Sequence, residues 1–316
     1  MRRDLPSACA ILVTHDSQEL LPGAVEGLRR HAGDMELKIV VVDCGSADRS
    51  AEVARGLGVD EVVEAPNLGY GAGNNLGART ETAKGCEWLV FVNPDAHPVA
   101  GDLASLLGAA RQAGASVAAP AFADPGDGVT HEPSLMPAGR GSGRRALRRL
   151  ARGQRGFVPR DGWSSVDGPR VEFECALGAF LAVRRDWFER LGGFDERYFL
   201  YFEDQDLQTR SRESGGLHVG SDALVVVHDR PAEVNPPAIQ AQLYLARLVW
   251  RTEQRGRLAL LLARMRLASS VLLRWHSWPG GREARNACLR ICLVRLPSDA
   301  ASQRKVQAER LGSGAR

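Results

Sequence analysis

The chain has 316 residues, 44% of them hydrophobic and 25% charged, and carries a net charge of only +3. That length supports one large domain or two small ones with a substantial core, and the composition is that of an ordinary globular protein. Six cysteines without zinc-type spacing exclude a zinc module, and the lack of aromatic residues interleaved with the basic ones excludes a single-stranded nucleic-acid binder.

In chain order, Met1-Arg2-Arg3-Asp4-Leu5-Pro6 leads straight into an apolar run, so no secretory leader is expected and the cytoplasm is the default location. Short apolar runs at 8–13, 39–42, 61–63, 88–92 and 116–119 predict buried strands. Between them, 20–31, 47–57, 70–83 and 102–113 have helical character. Strands alternating with helices predict a mostly parallel sheet covered on both faces, with ligands at the carboxyl ends of the strands. Polar motifs stand at those ends: Thr14-His15-Asp16, Asp43-Cys44-Gly45-Ser46 and Asn93-Pro94-Asp95.

From 124 to 169 the pattern dissolves into Gly, Pro and Arg, which predicts a flexible loop. Within it Arg144, Arg145, Arg148, Arg149, Arg152 and Arg155 recur at helical steps, as a phosphate-binding side, a membrane-facing side or a solvated face. Order resumes over 174–183, a helix near 185–191, and a strand at 223–227 that ends in His228. In the acidic segment between them, Glu203, Asp204 and Asp206 fall in four positions behind Tyr198, Phe199, Tyr201 and Phe202. Aromatic bulk beside a carboxylate excludes water and raises its pKa toward that of a general base; acids at a helix start are also favoured by the helix dipole alone. Beyond Pro236-Pro237 the chain reads as helices, with Leu258, Leu261, Leu262, Met265 and Leu272 on one face and arginines around the others. That stripe is either an interfacial helix on an anionic membrane or a packing face for this chain or a partner subunit. Its apolar run is too short and too interrupted by Arg264 and Arg266 to span a bilayer.

The order of these blocks resembles family 2 inverting glycosyltransferases of the GT-A fold, and among them the bacterial rhamnosyltransferases of cell-wall or natural-product biosynthesis. The resemblance runs from about residue 8 to 228. It rests on Val40 to Asp48, Asn67 to Asn75, Asn93-Pro94-Asp95-Ala96, Gly178-Ala179-Phe180-Leu181 and Gly193 to Leu207. It implies a Rossmann-like α/β/α sandwich as a catalytic domain over 1–232, with a nucleotide-binding half to about 120 and an acceptor-side half after it. A helical, arginine-rich region over 233–316 would follow.

By resemblance, Asp43 accepts the N3 proton of uracil or thymine; its other role would be to cap the next helix, which Asp48 fits better. Gly45 allows close approach to the nucleotide, and Thr14, Ser46, Asn67, Gly69 and Asn93 line the same donor site. Asn74 and Asn75 either join that site or satisfy a helix start. The glycines Gly69, Gly71 and Gly73 have the wrong spacing and position for a dinucleotide fingerprint. Asp95 matches the family's metal-binding acid, with Asn93 where an Asp is commoner, and His228 matches a histidine that completes the shell around Mg2+ or Mn2+. Asp204 matches the catalytic base, Glu203 orients the acceptor, and Asp206 caps or pairs with Arg210.

The expected reaction is inverting transfer of a sugar, foremost L-rhamnose, from dTDP-rhamnose or a UDP-sugar to a hydroxyl of a glycan-lipid or small-molecule acceptor. Peripheral contact with the inner face of a membrane and a homodimer fit the same reading, and nucleic acid does not. A nucleotidyltransferase would need a Gly-rich, basic loop after the first strand, where Thr14-His15-Asp16 stands. An inactive sugar-nucleotide-binding module would need broken acidic motifs, whereas Asp95 and Asp204 are present.

Overall fold

In the computed structural model, residues 6–123 and 175–229 are described throughout; elsewhere the description covers strand backbone at 130–131, 164–165 and 169–172 and scattered helical positions from 246 to 289. The expected flexible loop and its arginines from Arg144 to Arg155 lie outside the described residues, apart from those short strands. The chain forms two compact units, one of residues 1–67, 73–194 and 207–230, the other of 68–72, 195–206 and 231–316.

The first unit is built on one mixed sheet. Its strands are β1 (Ser7–Thr14), β2 (Glu36–Cys44), β3 (Glu61–Ala65), β4 (Trp88–Val92), β5 (Ala96–Gly101), β6 (Val117–Ala123), β7 (Thr130–His131), β8 (Ser164–Ser165), β9 (Pro169–Glu172), β10 (Phe180–Arg184) and β11 (His218–His228). The order across the sheet is β3-β2-β1-β4-β10-β6-β11-β9-β8, with β5 on β11 and β7 on β6. β1 to β4 are mutually parallel where they pair, as their apolar runs predict; all five residues of β4 are buried. β10 enters antiparallel between β4 and β6, an inversion that the apolar pattern cannot signal because a doubly covered strand looks the same in either direction.

Helices cover the parallel half. α1 (Leu21–Arg30) buries Leu21, Ala24, Val25 and Leu28, the i, i+3, i+4, i+7 face, and places Arg29 and Arg30 at its negative end. α2 (Ser50–Gly56) and α3 (Tyr70–Ala78) follow β2 and β3. α4 (Leu103–Gln112) is capped by Asp102, whose carboxylate accepts from the backbone N of Ser105 at 2.7 Å. α5 (Arg185–Arg190) and α6 (Glu203–Glu213) come later. The expected helix to residue 83 stops at Ala78, because the Thr80 hydroxyl donates to Gly77 O and accepts from Ala83 N, a local turn in place of the helical ladder.

Two departures shape the site. β5 is missing from the sequence expectation, since Pro98 argues against a strand; it pairs with β11 alone among the described residues, where a proline is tolerated. β11 starts five residues before the expected 223, and its register against β6 shifts between Ser221 and Val225, an irregularity that the polar Ser221-Asp222 pair disguises as a break.

The second unit contains the acidic turn and helical positions from 246 onward. Tyr198 and Ala246 are fully buried there, with Tyr201 and Phe202 packed against them. Among the described residues no helix is long and apolar enough to cross a membrane.

Candidate functional site

Parallel pairing of β1 and β2 sets Thr14 directly opposite Asp43 at the carboxyl end of the sheet. Both residues are buried. Asp43 Oδ1 accepts from the backbone N of Ser46 at 2.8 Å, which folds the loop back over the strand end. Its Oδ2 and the Thr14 Oγ1 are buried without a partner among the described residues. Buried polar atoms are almost always hydrogen-bonded, so two orphans side by side at strand ends point to a ligand that supplies the missing partners.

The loops around this pair are stitched together. Asp16, at φ 52°, accepts from Ala47 N at 2.6 Å, and its own N donates to Ser46 Oγ at 3.0 Å. Asp48 accepts from Gln18 N and from Ser50 N, while Arg49 and not Asp48 stands at the cap position of α2. Ser46 is therefore engaged on both its backbone N and its hydroxyl within the loops. Gly45, at φ +71°, lies so close to the chain at Asn67 that an added Cβ would stand 3.3 Å from Asn67 N. The sequence shows Asp16 only as part of the polar motif after β1; its left-handed backbone leaves no local pattern.

The second strand-end cluster arises from β4, β5 and β11. Asn93 to Ala96 form a tight turn closed by Ala96 N to Asn93 O at 3.0 Å, which presents Asp95. Antiparallel pairing sets His228 opposite Ala96, and Asp229 N donates to Asp95 O at 2.8 Å. His228 Nε2 then stands 3.2 Å from Asp95 Oδ1, with both side chains mostly buried. Donor atoms on adjacent corners of an octahedral shell with bonds of about 2.1 Å lie roughly 3 Å apart, so this pair has the spacing of two ligands to one divalent cation. Among the described residues no group of three or more His, Cys, Asp or Glu side chains forms a cation site, so the remaining ligands would come from substrate and water. His97 stands 3.4 Å from Asp229 beside this pair.

Asn75 is structural in a way the sequence does not show. Its amide accepts from Phe194 N at 2.8 Å and donates to Phe194 O at 2.9 Å, a strand-like pair made across 119 positions. Asn74 is fully buried in the same helix. At Gly73 a Cβ would stand 2.9 Å from Val13 Cγ1, and at Gly77 2.5 Å from Ile11 Cγ2, so these glycines let α3 lie directly on the sheet.

In the second unit the expected base segment is a strained turn into α6. Tyr201 and Phe202 both adopt left-handed backbone, φ 71° and 73°, which for aromatic residues costs free energy and marks functional sites when it persists. Asp206 N donates to Phe202 O at 2.9 Å. Glu203, Asp204 and Asp206 are each buried. Burial, and then the neighbouring Asp204 and Asp206 charges, push the Glu203 carboxyl well above its ordinary range. Its Oε2 has no partner among the described residues. Gly69 belongs to this unit: at φ +85°, a Cβ would fall 2.2 Å from Phe199 O, and its absence lets Tyr70 N reach that oxygen at 2.8 Å. In the first unit the same helix continues with Gln208, bonded both ways to the Ala176 backbone, and Arg210, which donates to the carbonyls of Leu191 and Gly193.

Residues 9–162 match the profile of the family described as glycosyl transferase family 2. Over 216 residues, the chain is 31% identical to N-acetylglucosaminyl-diphospho-decaprenol L-rhamnosyltransferase of Mycobacterium tuberculosis, covering 63% of this chain and 68% of the relative. Among solved structures, GalNAc-T7 with UDP, GalNAc and Mn2+ aligns with TM-score 0.57 at 14% identity, over 92% of this chain. The chain spans 55% of that protein's length. The mannosyltransferase PcManGT from Pyrobaculum calidifontis, solved with GDP-Man and Mn2+, aligns with TM-score 0.53 at 17% identity over 98% of this chain and 86% of its own. At such identities these two structures support the GT-A fold. The chain belongs to glycosyl transferase family 2.

Proposed function

We propose that the protein transfers a sugar, with inversion, from a nucleoside diphosphate donor to an acceptor hydroxyl, dTDP-L-rhamnose being the favoured donor. The observation that carries the donor class is the buried, unpartnered pair of Asp43 Oδ2 and Thr14 Oγ1 at the strand ends. A carboxylate oxygen there accepts the N3–H of a thymine or uracil, and the threonine hydroxyl offers a second contact beside it. The preference for rhamnose follows the rhamnosyltransferase relative, whose name also suggests a diphosphate-linked lipid glycan as acceptor; a natural-product hydroxyl is the other acceptor of the same chemistry.

Asp95 and His228 would hold the divalent cation, Mn2+ suiting a carboxylate-plus-imidazole set somewhat better than Mg2+. Bound there, it would neutralise charge on the departing diphosphate. Asp204 takes the proton from the acceptor hydroxyl as that oxygen attacks the anomeric carbon, in one in-line displacement. Burial and the neighbouring Asp204 charge push the Glu203 carboxyl well above its ordinary range, which suits it to orient the acceptor by hydrogen bonding rather than to act as the base.

Titrating the protein with dTDP-, UDP- and GDP-sugars in the presence of Mn2+ tests this reading. Tightest binding is expected for dTDP-rhamnose, and Asp43→Asn, which puts an amide where an acceptor is needed, should weaken it by about ten- to a hundredfold. Tighter binding of GDP-sugars, or of none, would overturn it.

A further inference from the structure

The apolar stripe of the C-terminal region is exposed. Leu258, Leu261, Leu262, Met265, Leu272 and Leu273 are all helical and all exposed, Leu258 by 70% and Leu273 by 86%. The Ser269 hydroxyl donates to Met265 O at 2.5 Å, the side-chain back-bond a helical serine makes to the carbonyl four residues before it. At about 100° per residue, these six positions and the exposed Ser269 fall in an arc of about 120°, and the buried Leu267 lies opposite its centre. Scattered single leucines on a surface need no explanation, but six aligned on one face form a contiguous patch.

Charge selects what covers it. From residue 247 to the end, fifteen Lys and Arg stand against four Asp and Glu, although the whole chain is only +3. Within 254–275 there are five arginines and no carboxylate. An apolar arc on a segment whose only charged residues are arginines matches a surface with hydrocarbon beneath and phosphate above. The stretch from 258 to 273 is about 24 Å long as a helix, short of the roughly 30 Å hydrocarbon core, which suits a helix lying in the interface plane.

We propose that this helix docks the protein on an anionic lipid bilayer, its leucines in the acyl boundary and its arginines among the headgroup phosphates. The docking is independent of the donor site, which is built from residues of the other unit.

Co-sedimentation of the full chain with vesicles of equal parts phosphatidylglycerol and phosphatidylcholine is the test, with pure phosphatidylcholine beside it. The protein should pellet with the anionic vesicles at low salt, stay in solution with the neutral ones, and be released as salt rises. The double substitution Leu261→Glu with Met265→Glu should weaken partitioning on the order of a hundredfold, since two apolar side chains leave the acyl boundary. Nucleotide-sugar binding should be unchanged in that variant, and Leu272→Glu should weaken partitioning in the same direction. No pelleting, equal pelleting with both vesicles, or pelleting that these substitutions leave intact would overturn the proposal. So would a dimer in sedimentation velocity that the same substitutions dissolve, which would assign the face to a second copy of the chain.

Discussion

Asp204 and Glu203 are adjacent, buried and at the same helix start, yet their proposed chemistry differs because like charges side by side in a dry site resist ionising together. The upward push on the Glu203 carboxyl is the reason the proposal gives the base role to Asp204. Replacing Asp204 by Asn keeps size and removes the acceptor, so turnover should fall by about a hundred- to ten-thousandfold with donor affinity nearly unchanged. Glu203→Gln should cost less turnover and more acceptor affinity, as read from steady-state kinetics against acceptor. A dead Glu203→Gln beside an active Asp204→Asn would exchange the two roles. At the cation pair, chelation with EDTA should abolish transfer and Mn2+ restore it, while His228→Ala should raise the Mn2+ concentration needed rather than the ceiling reached. Full activity in metal-free enzyme would remove Asp95 and His228 from the metal role. Thr14, Asp43 and His228 stand out in the sequence because each ends an apolar run, and strand ends are where such sheets bind ligands. The long-range engagement of Asn75 by Phe194 and the left-handed Tyr201 and Phe202 were not legible there, since neither a partner 119 positions away nor a strained φ leaves a periodic trace.

Glycine placement separates elements that must approach closely from those that merely tolerate a small residue. Gly69 sits at φ +85° with Phe199 O where its Cβ would be, so Gly69→Ala must break the Tyr70 to Phe199 bond and displace the turn that leads to Glu203. Gly108 lies inside α4 with nothing within 4 Å of an added Cβ. Gly108→Ala should therefore stabilise by about 0.5–1 kcal/mol, the helix-propensity difference, and leave activity alone. Gly69→Ala should lower both Tm and turnover. Thermal denaturation and a transfer assay on the two variants check the contrast, and equal behaviour would mean that the 68–72 segment is not fixed as described. The parallel strands were legible from their buried runs, whereas β5 was hidden by Pro98 and the early half of β11 by its polar register shift.

For the molecule as a whole, the buried acidic turn makes stability depend on pH. Glu203 titrates well above its ordinary 4.5 in the folded protein, principally because it is buried. Above pH 4.5 the unfolded chain has released this proton while the folded chain still holds it. Folding then carries bound protons that unfolding releases, so stability falls as pH rises through the window up to the folded value, and is flat beyond it. Acid stabilisation of this kind is opposite in sign to that of a salt-bridged carboxylate. Glutamine in place of Glu203 keeps the shape and hydrogen-bonding capacity of the protonated acid without the charge. Glu203→Gln should therefore match the parent protein in Tm near pH 4.5, exceed it increasingly as pH rises, and hold a constant advantage once the parent's carboxyl is ionised. Differential scanning calorimetry of both proteins across that range reads the difference directly, with the other titrating groups cancelling between them. A difference that does not change with pH, or a glutamine variant less stable at neutral pH, would show that Glu203 is ionised in the folded protein and that the cluster is held by partners rather than by a retained proton.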